Sequence, residues 1–310
     1  MKIALLDVRM NAQNPYKSSM VSARNMVNLA NYLNADLIWR KKSTFDDYDV
    51  IICGFGSQFS EYNYSTDLIK HNKEASILWL VGEYEQSMFP AIHYAVIQED
   101  SKLSIMQNHE RKQDKKWIEK TYTLNINLLI ARKPNKIIEK KYDCIYYSRW
   151  RPNRAKYLKV YLKEKVYFSS DTKNFKKHKN IDCNPKWIKK LNWGIGVETL
   201  NVFKYSLYIE DEFTHTCFNN LANRWYEAGF CNNVMFFDRN CKNTIEKSEI
   251  NHFFDPYYYV SNSDELQNKI KECNKDWPRH IECQKSWRVN ELALKDEMIN
   301  KMKNIIHGLR

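Results

Sequence analysis

Short runs of consecutive apolar residues alternate along this chain with longer stretches in which apolar positions recur every three or four residues. "KIALLDV" near the N-terminus reads as a buried strand. Residues 18–33 then carry Met20, Ala23, Met26, Val27, Leu29 and Ala30 at mostly helical spacing, and "ADLIWR" reads as the next strand. "DYDVIICGF", "ASILWLVGE" and "KLSIMQN" continue the series, the second of them preceded by the helix-like "STDLIKHNKEA". Strands that are apolar throughout, rather than at alternate positions, suit a parallel sheet covered on both faces.

The rhythm restarts after the proline of "ARKPNK". "YDCIYYS" is a strand, residues 153–161 a helix, "KVYFSS" a strand, "LNVFKYSLYIE" a helix running into a strand, residues 217–228 a helix and "NNVMFFD" a strand. In "YYYVSNSDELQNKIKEC" either Ser263 or Asp264 can cap a helix. The expectation is an α/β chain of two Rossmann-like halves around a central cleft, the first spanning residues 1–135 and the second 136–286. Open sheets of this kind bind ligands at the carboxyl ends of their strands, so candidate chemistry is sought there.

Composition narrows the partners. A chain of 310 residues with 43% hydrophobic and 28% charged residues is globular and long enough for two cores. The formal net charge of +12 favours anionic partners, although the abundance of lysine, asparagine and isoleucine is also what an AT-rich genome produces. Eight cysteines show neither a C-x-x-C pair nor metal spacing with histidine, so reduced thiols in a cytoplasm are expected and no metal site is assigned. His93, His109 and His215 have no partner at ligand spacing. No signal peptide or membrane span is read, and the absence of G-x-G-x-x-G and Walker A loops argues against nicotinamide and ATPase chemistry.

Three constellations remain. Ser148, Arg149, Arg151 and Arg154 follow the first strand of the second half directly, where guanidinium forks match phosphate oxygens; a solvated basic loop is the alternative. In "NRWYEAGFCNNVMFFD", Arg224 and Glu227 lie three residues apart and share a helical face, with Gly229 expected to end the helix. They read either as a surface ion pair or as a guanidinium for a phosphate and a carboxylate for a vicinal diol, the two polar ends of a nucleotide. Glu83 closes an apolar strand of the first half and suits a general base, with Glu85 as its competitor. The stretches "RKQDKKW" and "NFKKHKN", with Trp117, Phe175 and Trp187 nearby, suit either a nucleic-acid contact or solvated helix faces.

Together these residues resemble the phage DNA glycosyltransferases of GT-B type. "MKIALLDVRMN", followed by Ser18 and Ser19, is similar to that family's first strand and donor loop; "DCIYYSRWRPNR" is similar to its arginine loop and "RWYEAGFCNNVMFFD" to its R-x-x-E helix and following strand. The resemblance runs through most of the chain in element order, with a glutamate where the family keeps a catalytic aspartate and an arginine loop shorter by one residue. It implies that Arg151, Arg154 and Arg224 bind the diphosphate of a UDP-sugar and Glu227 its ribose hydroxyls, that Glu83 is the base, and that Phe59 enters the DNA stack when the target base leaves. It also implies a C-terminal segment, residues 287–310 with a helix over 287–306, that rejoins the first domain. The expected activity is transfer of a sugar to a hydroxymethylcytosine or hydroxymethyluracil in double-stranded DNA by a monomer in the host cytoplasm, without an obligatory metal. A GT-B transferase acting on a surface glycan or lipid, and a non-catalytic DNA-binding protein on this fold, are the rivals.

Overall fold

The computed structural model describes residues 1–6, 14–17, 21–40, 44–53, 76–79, 94–96, 104–107, 121–124, 126–129, 138–148, 151–163, 165–169, 176, 185–188, 198–211 and 221–308. Two compact units divide the chain: Met1–Ala131 with Glu291–Arg310, and Arg132–Asn290.

In the first unit β1 (Ile3–Leu6), β2 (Asp36–Ile38), β3 (Val50–Cys53) and β4 (Ser76–Trp79) form a parallel sheet in the order β2-β1-β3-β4. Helix α1 (Val21–Leu33) turns Met26, Leu29, Ala30 and Leu33 into the core against Ile3, Leu5, Val50 and Ile52. The C-terminal helix, Glu291–His307, adds Met298, Ile299, Met302, Ile305 and Ile306 to the same core. Asn28 Nδ2 donates to the Leu129 carbonyl at 2.6 Å and ties α1 to the 3-10 turn Ile126–Leu129. A separate sheet of β5 (Tyr94–Val96), β6 (Ser104–Gln107) and β7 (Thr121–Leu124) departs from the all-parallel expectation, because β5 runs antiparallel to β6.

The second unit holds one six-stranded sheet of β8 (Tyr142–Tyr147), β9 (Val166–Ser169), β10 (Lys186–Ile188), β11 (Phe203–Tyr208), β12 (Val234–Asp238) and β13 (Tyr259–Val260). Its order is β10-β9-β8-β11-β12-β13 and every pairing is parallel. In chain order that is 3-2-1-4-5-6, the doubly wound arrangement whose direction of growth reverses between the first and fourth strands. Cys144, Ile145 and Tyr146 of β8 and Val234 through Phe237 of β12 are fully buried, as continuous apolar strings in a covered sheet should be. Between the strands lie α2 (Ala155–Leu158), α3 (Glu198–Asn201), α4 (Asn223–Phe230) and α5 (Lys242–Glu246), and after β13 come α6 (Ser263–Cys273) and α7 (Trp277–Ser286).

Helix boundaries differ from expectation in three places. Asn262, rather than Ser263 or Asp264, caps α6, its side chain accepting from Glu265 N at 2.9 Å. The helix expected from Trp287 begins at Glu291; Trp287 instead stacks on Trp225 in the second unit, with ring centroids 6.1 Å apart. Helix α4 passes through Gly229 and stops after Phe230, the chain reversing at Asn232 with φ 52°.

Gly229 serves another purpose. A Cβ there would collide with the Arg288 guanidinium, which lies 3.5 Å above the Trp225 ring and donates from Nη2 to the Trp225 carbonyl at 2.6 Å. Alanine is normally better than glycine inside a helix by about 1 kcal/mol. Gly229→Ala is therefore expected to destabilise the wild-type chain by about 1 kcal/mol through displacement of Arg288, and to stabilise an Arg288→Ala background by about the same amount. A double-mutant cycle in urea unfolding measures the reversal of sign.

Candidate functional site

The strands flanking the reversal, β8 and β11, end side by side. After β8 come Ser148 and then the 3-10 turn Pro152–Arg154, begun by Pro152 with its preset φ. After β11 come Ile209, Glu210 and Asp211, and α4 follows further along the chain. Tyr208 fixes the entry to that helix, its hydroxyl accepting from Ala222 N at 2.8 Å.

Three guanidiniums converge here on two buried carboxylates. Arg154 Nη2 pairs with Glu210 Oε2 and stands 3.3 Å from Asp211 Oδ2; Arg151 Nη1 is 3.4 Å from the same Asp211 oxygen. Arg224 Nη1 lies 2.6 Å from Glu210 Oε1 and donates to the Ile209 carbonyl at 2.5 Å. The Arg224 guanidinium also sits 5.3 Å from the Tyr208 ring centroid and 5.8 Å from that of Tyr146. Side-chain exposure grades from 4% at Arg154 through 11% at Arg224 to 36% at Arg151, so the cluster opens toward its arginine rim. Counting these five groups alone, one positive charge remains.

Arg154 is buried, which removes the solvated-loop alternative for that residue. The surface-pair alternative for Arg224 and Glu227 also fails, since Glu227 is 4% exposed and Arg224 pairs with Glu210. Glu227 Oε2 accepts from the Tyr147 hydroxyl at 2.9 Å, and that hydroxyl is 3.3 Å from the Arg224 carbonyl. Burial pushes the Glu227 carboxyl up to about 7, against the Tyr147 hydrogen bond and the Arg224 charge, both of which favour the ionised form.

Several buried polar atoms at this end of the sheet lack a well-aligned hydrogen-bond partner among the described residues: Ser148 Oγ, Arg154 Nε, Tyr146 Oη and Glu210 Oε1, of which the Tyr146 hydroxyl still interacts with the Arg154 side chain and Glu210 Oε1 with Arg224. A buried donor left unbonded costs about 1–3 kcal/mol, and Ser148 Oγ and Arg154 Nε, at the strand ends that carry three guanidiniums, are of a kind that an anion with several oxygens can satisfy. Sequence reasoning missed Glu210, Asp211 and Tyr147. The available signal was the acidic pair directly after an apolar central strand, in "YSLYIED". Glu83, Glu85, Phe59, Arg149, Ser18 and Ser19 lie outside the described residues, as do the basic stretches apart from Lys176. Among the described residues no three His, Cys, Asp or Glu side chains are grouped to hold a metal, and no helix is long and apolar enough to cross a membrane.

Two α/β units built on parallel sheets, the second in 3-2-1-4-5-6 order and closed by a C-terminal helix that returns to the first, make up the GT-B fold. Among solved structures the chain is similar to the T4 phage β-glucosyltransferase, at 17% identity and a TM-score of 0.66 over 99% of each chain. It is also similar to an α-glucosyltransferase in complex with UDP and a 13-mer DNA containing an HMU base (10% identity, 97% of this chain and 99% of that one, TM-score 0.59). A third similar structure is Anabaena HepE in complex with UDP and glucose (11% identity, 98% and 100%, TM-score 0.55). No protein-family model and no curated protein sequence matches the chain. At these identities the likeness is one of fold.

Proposed function

We propose that this chain is a glycosyltransferase that moves a sugar from a UDP-sugar to the hydroxymethyl group of a modified pyrimidine in DNA. The observation that carries the reading is the group of unbonded buried donors, Ser148 Oγ and Arg154 Nε, beside Arg151 and Arg224 at the switch point of a doubly wound sheet. A diphosphate supplies the oxygens those donors lack. The net positive charge of the cluster opposes the charge that gathers on a departing diphosphate, so the same groups that bind the donor stabilise its leaving group. Glu227, one helical turn along α4 from Arg224, suits the ribose diol.

Acceptor choice rests on the fold shared with enzymes that modify DNA and on the net charge of +12, which suits a phosphate backbone. The target base leaves the stack to present its hydroxymethyl group. Glu83 takes the proton as that oxygen attacks the anomeric carbon, the bond to the diphosphate breaks, and UDP departs with the bonding pair. A single displacement of this kind inverts the anomeric carbon.

The test is release of UDP from a panel of UDP-sugars, with duplex DNA carrying hydroxymethylcytosine or hydroxymethyluracil, with glycan or lipid acceptors, or with no acceptor, in the presence and absence of Mn2+, beside direct titrations with DNA and with UDP. Release that requires modified DNA and falls steeply with salt supports the reading. Release on glycan or lipid acceptors alone assigns the chain to surface glycosylation, and DNA binding without nucleotide binding makes it a non-catalytic DNA-binding protein.

A further inference from the structure

We propose that Tyr147 is a positioning residue for the nucleotide donor: its phenol, reaching from the end of β8 to the face of α4, holds the Glu227 carboxylate in the orientation that a ribose diol requires. This rests on the donor site proposed above and names a residue that neither its arginine loop nor its R-x-x-E helix includes.

Geometry carries the inference. Glutamate has three side-chain torsions, and a carboxylate that is to accept from two neighbouring hydroxyls must hold its plane fixed before the ligand arrives. Tyr147 supplies that restraint from a different element. Its ring packs against the cluster of Ile145, Leu200, Phe203 and Cys231, and its hydroxyl is 2.9 Å from Glu227 Oε2 and 3.3 Å from the Arg224 carbonyl. One phenol thus bridges the strand that leads into the arginine loop and the helix turn that bears Arg224 and Glu227. Only Oε2 of Glu227 is engaged among the described residues, so Oε1 is the oxygen offered to a ligand.

The phenol stays a donor throughout the working range, because burial and the Glu227 charge hold its pKa well above the usual value. The ionisable groups facing Glu227 are Tyr147 from β8 and Arg224 from its own helix; Cys231, where α4 ends, faces Tyr147. From β11 and the residues just beyond it, Tyr208 and Glu210 face Arg224 instead. Burial raises the Glu227 carboxyl to about 7, while the Tyr147 bond and the Arg224 charge oppose the rise. Removing the hydroxyl removes one of the two opposing contributions, so the carboxyl of the variant takes its proton at higher pH than in wild type. A protonated carboxyl has lost acceptor capacity, and donor affinity falls as pH drops through that midpoint.

The experiment is calorimetric titration of the full chain with UDP-glucose from pH 6 to pH 9, a ligand whose diphosphate diester does not titrate in that range. Wild type, Tyr147→Phe and Glu227→Gln are compared, with urea unfolding of each as a stability control. Tyr147→Phe is expected to bind about tenfold more weakly near pH 7, the loss of one hydrogen bond to a charged group, and to regain part of that affinity toward pH 9. Glu227→Gln is expected to abolish the pH dependence. Wild-type affinity in Tyr147→Phe, or a deficit of equal size at every pH, overturns the positioning role while leaving the donor site intact. Failure of the wild-type chain to bind UDP-glucose, UDP or any other UDP-sugar overturns the donor site, and this inference with it.

Discussion

Glu210→Ala is expected to lower the unfolding free energy of the second unit by about 3–5 kcal/mol, the largest stability effect of any single substitution in the site. The reason is that Glu210 balances two guanidiniums at once. Its two oxygens meet Arg154 Nη2 and Arg224 Nη1, and with 2% of its surface exposed no water replaces it when it is removed. Alanine leaves Arg154 facing Asp211 alone and Arg224 held by the Ile209 carbonyl, with two buried positive charges insufficiently compensated. Against a total stability of about 5–15 kcal/mol for a domain, that loss is a large fraction. Glu210→Gln keeps the shape and one carbonyl acceptor, so its cost is expected to be smaller. Urea unfolding of both variants makes the comparison; a loss below about 1 kcal/mol for alanine would mean that the arginines are held by solvent and not by this carboxylate.

The same cluster shows why the sequence is informative about elements and poor about partners. Strands β1 and β12 are legible as apolar strings broken only by the terminal Asp238, and β8 and β11 as runs that are apolar or aromatic apart from Asp143, Lys204 and Ser206. β7 (TYTL) and β10 (KWI) are mixed in polarity and short, and they escape the same reading. The order of strands is not written in any local pattern, since each pairing joins residues far apart in the chain. A helical spacing of three shows that Arg224 and Glu227 share a face, yet it says nothing of what that face meets. Their partners, Glu210 and Tyr147, come from two neighbouring strand ends that only the 3-2-1-4-5-6 order brings together.

Local rules also mislead where two of them compete. Gly229 satisfies the rule for a helix stop, but the helix runs on to Phe230 and the chain reverses at Asn232, while the Arg288 guanidinium occupies the space of the side chain that the glycine lacks. Three consecutive residues, Asn262, Ser263 and Asp264, are all good caps, and the one whose side chain reaches Glu265 N is decided by backbone geometry and not by propensity. In both cases the sequence limits the answer to a few residues and tertiary contacts choose among them.

Glu83→Gln is expected to lower kcat for transfer to hydroxymethylated DNA by about 10²–10⁴-fold while leaving UDP-glucose binding unchanged. Glutamine has the shape and hydrogen-bonding reach of glutamate but cannot take the proton of an attacking hydroxyl, and the groups proposed to hold the donor belong to the second unit. Glu227→Ala is expected to do the reverse. It removes the acceptor proposed for the ribose, so KM for the UDP-sugar rises by about tenfold or more while the base remains in place. The contrast between the two variants separates proton transfer from donor binding with one assay, UDP release under saturating DNA, read at several donor concentrations. Normal turnover by Glu83→Gln would remove the base from this position and shift the assignment to Glu85, two residues along the same segment, whose glutamine variant should then show the loss. Loss of donor binding in Glu83→Gln would mean instead that the carboxylate of the first unit contacts the sugar, and that its charge, rather than its proton affinity, is what the reaction uses.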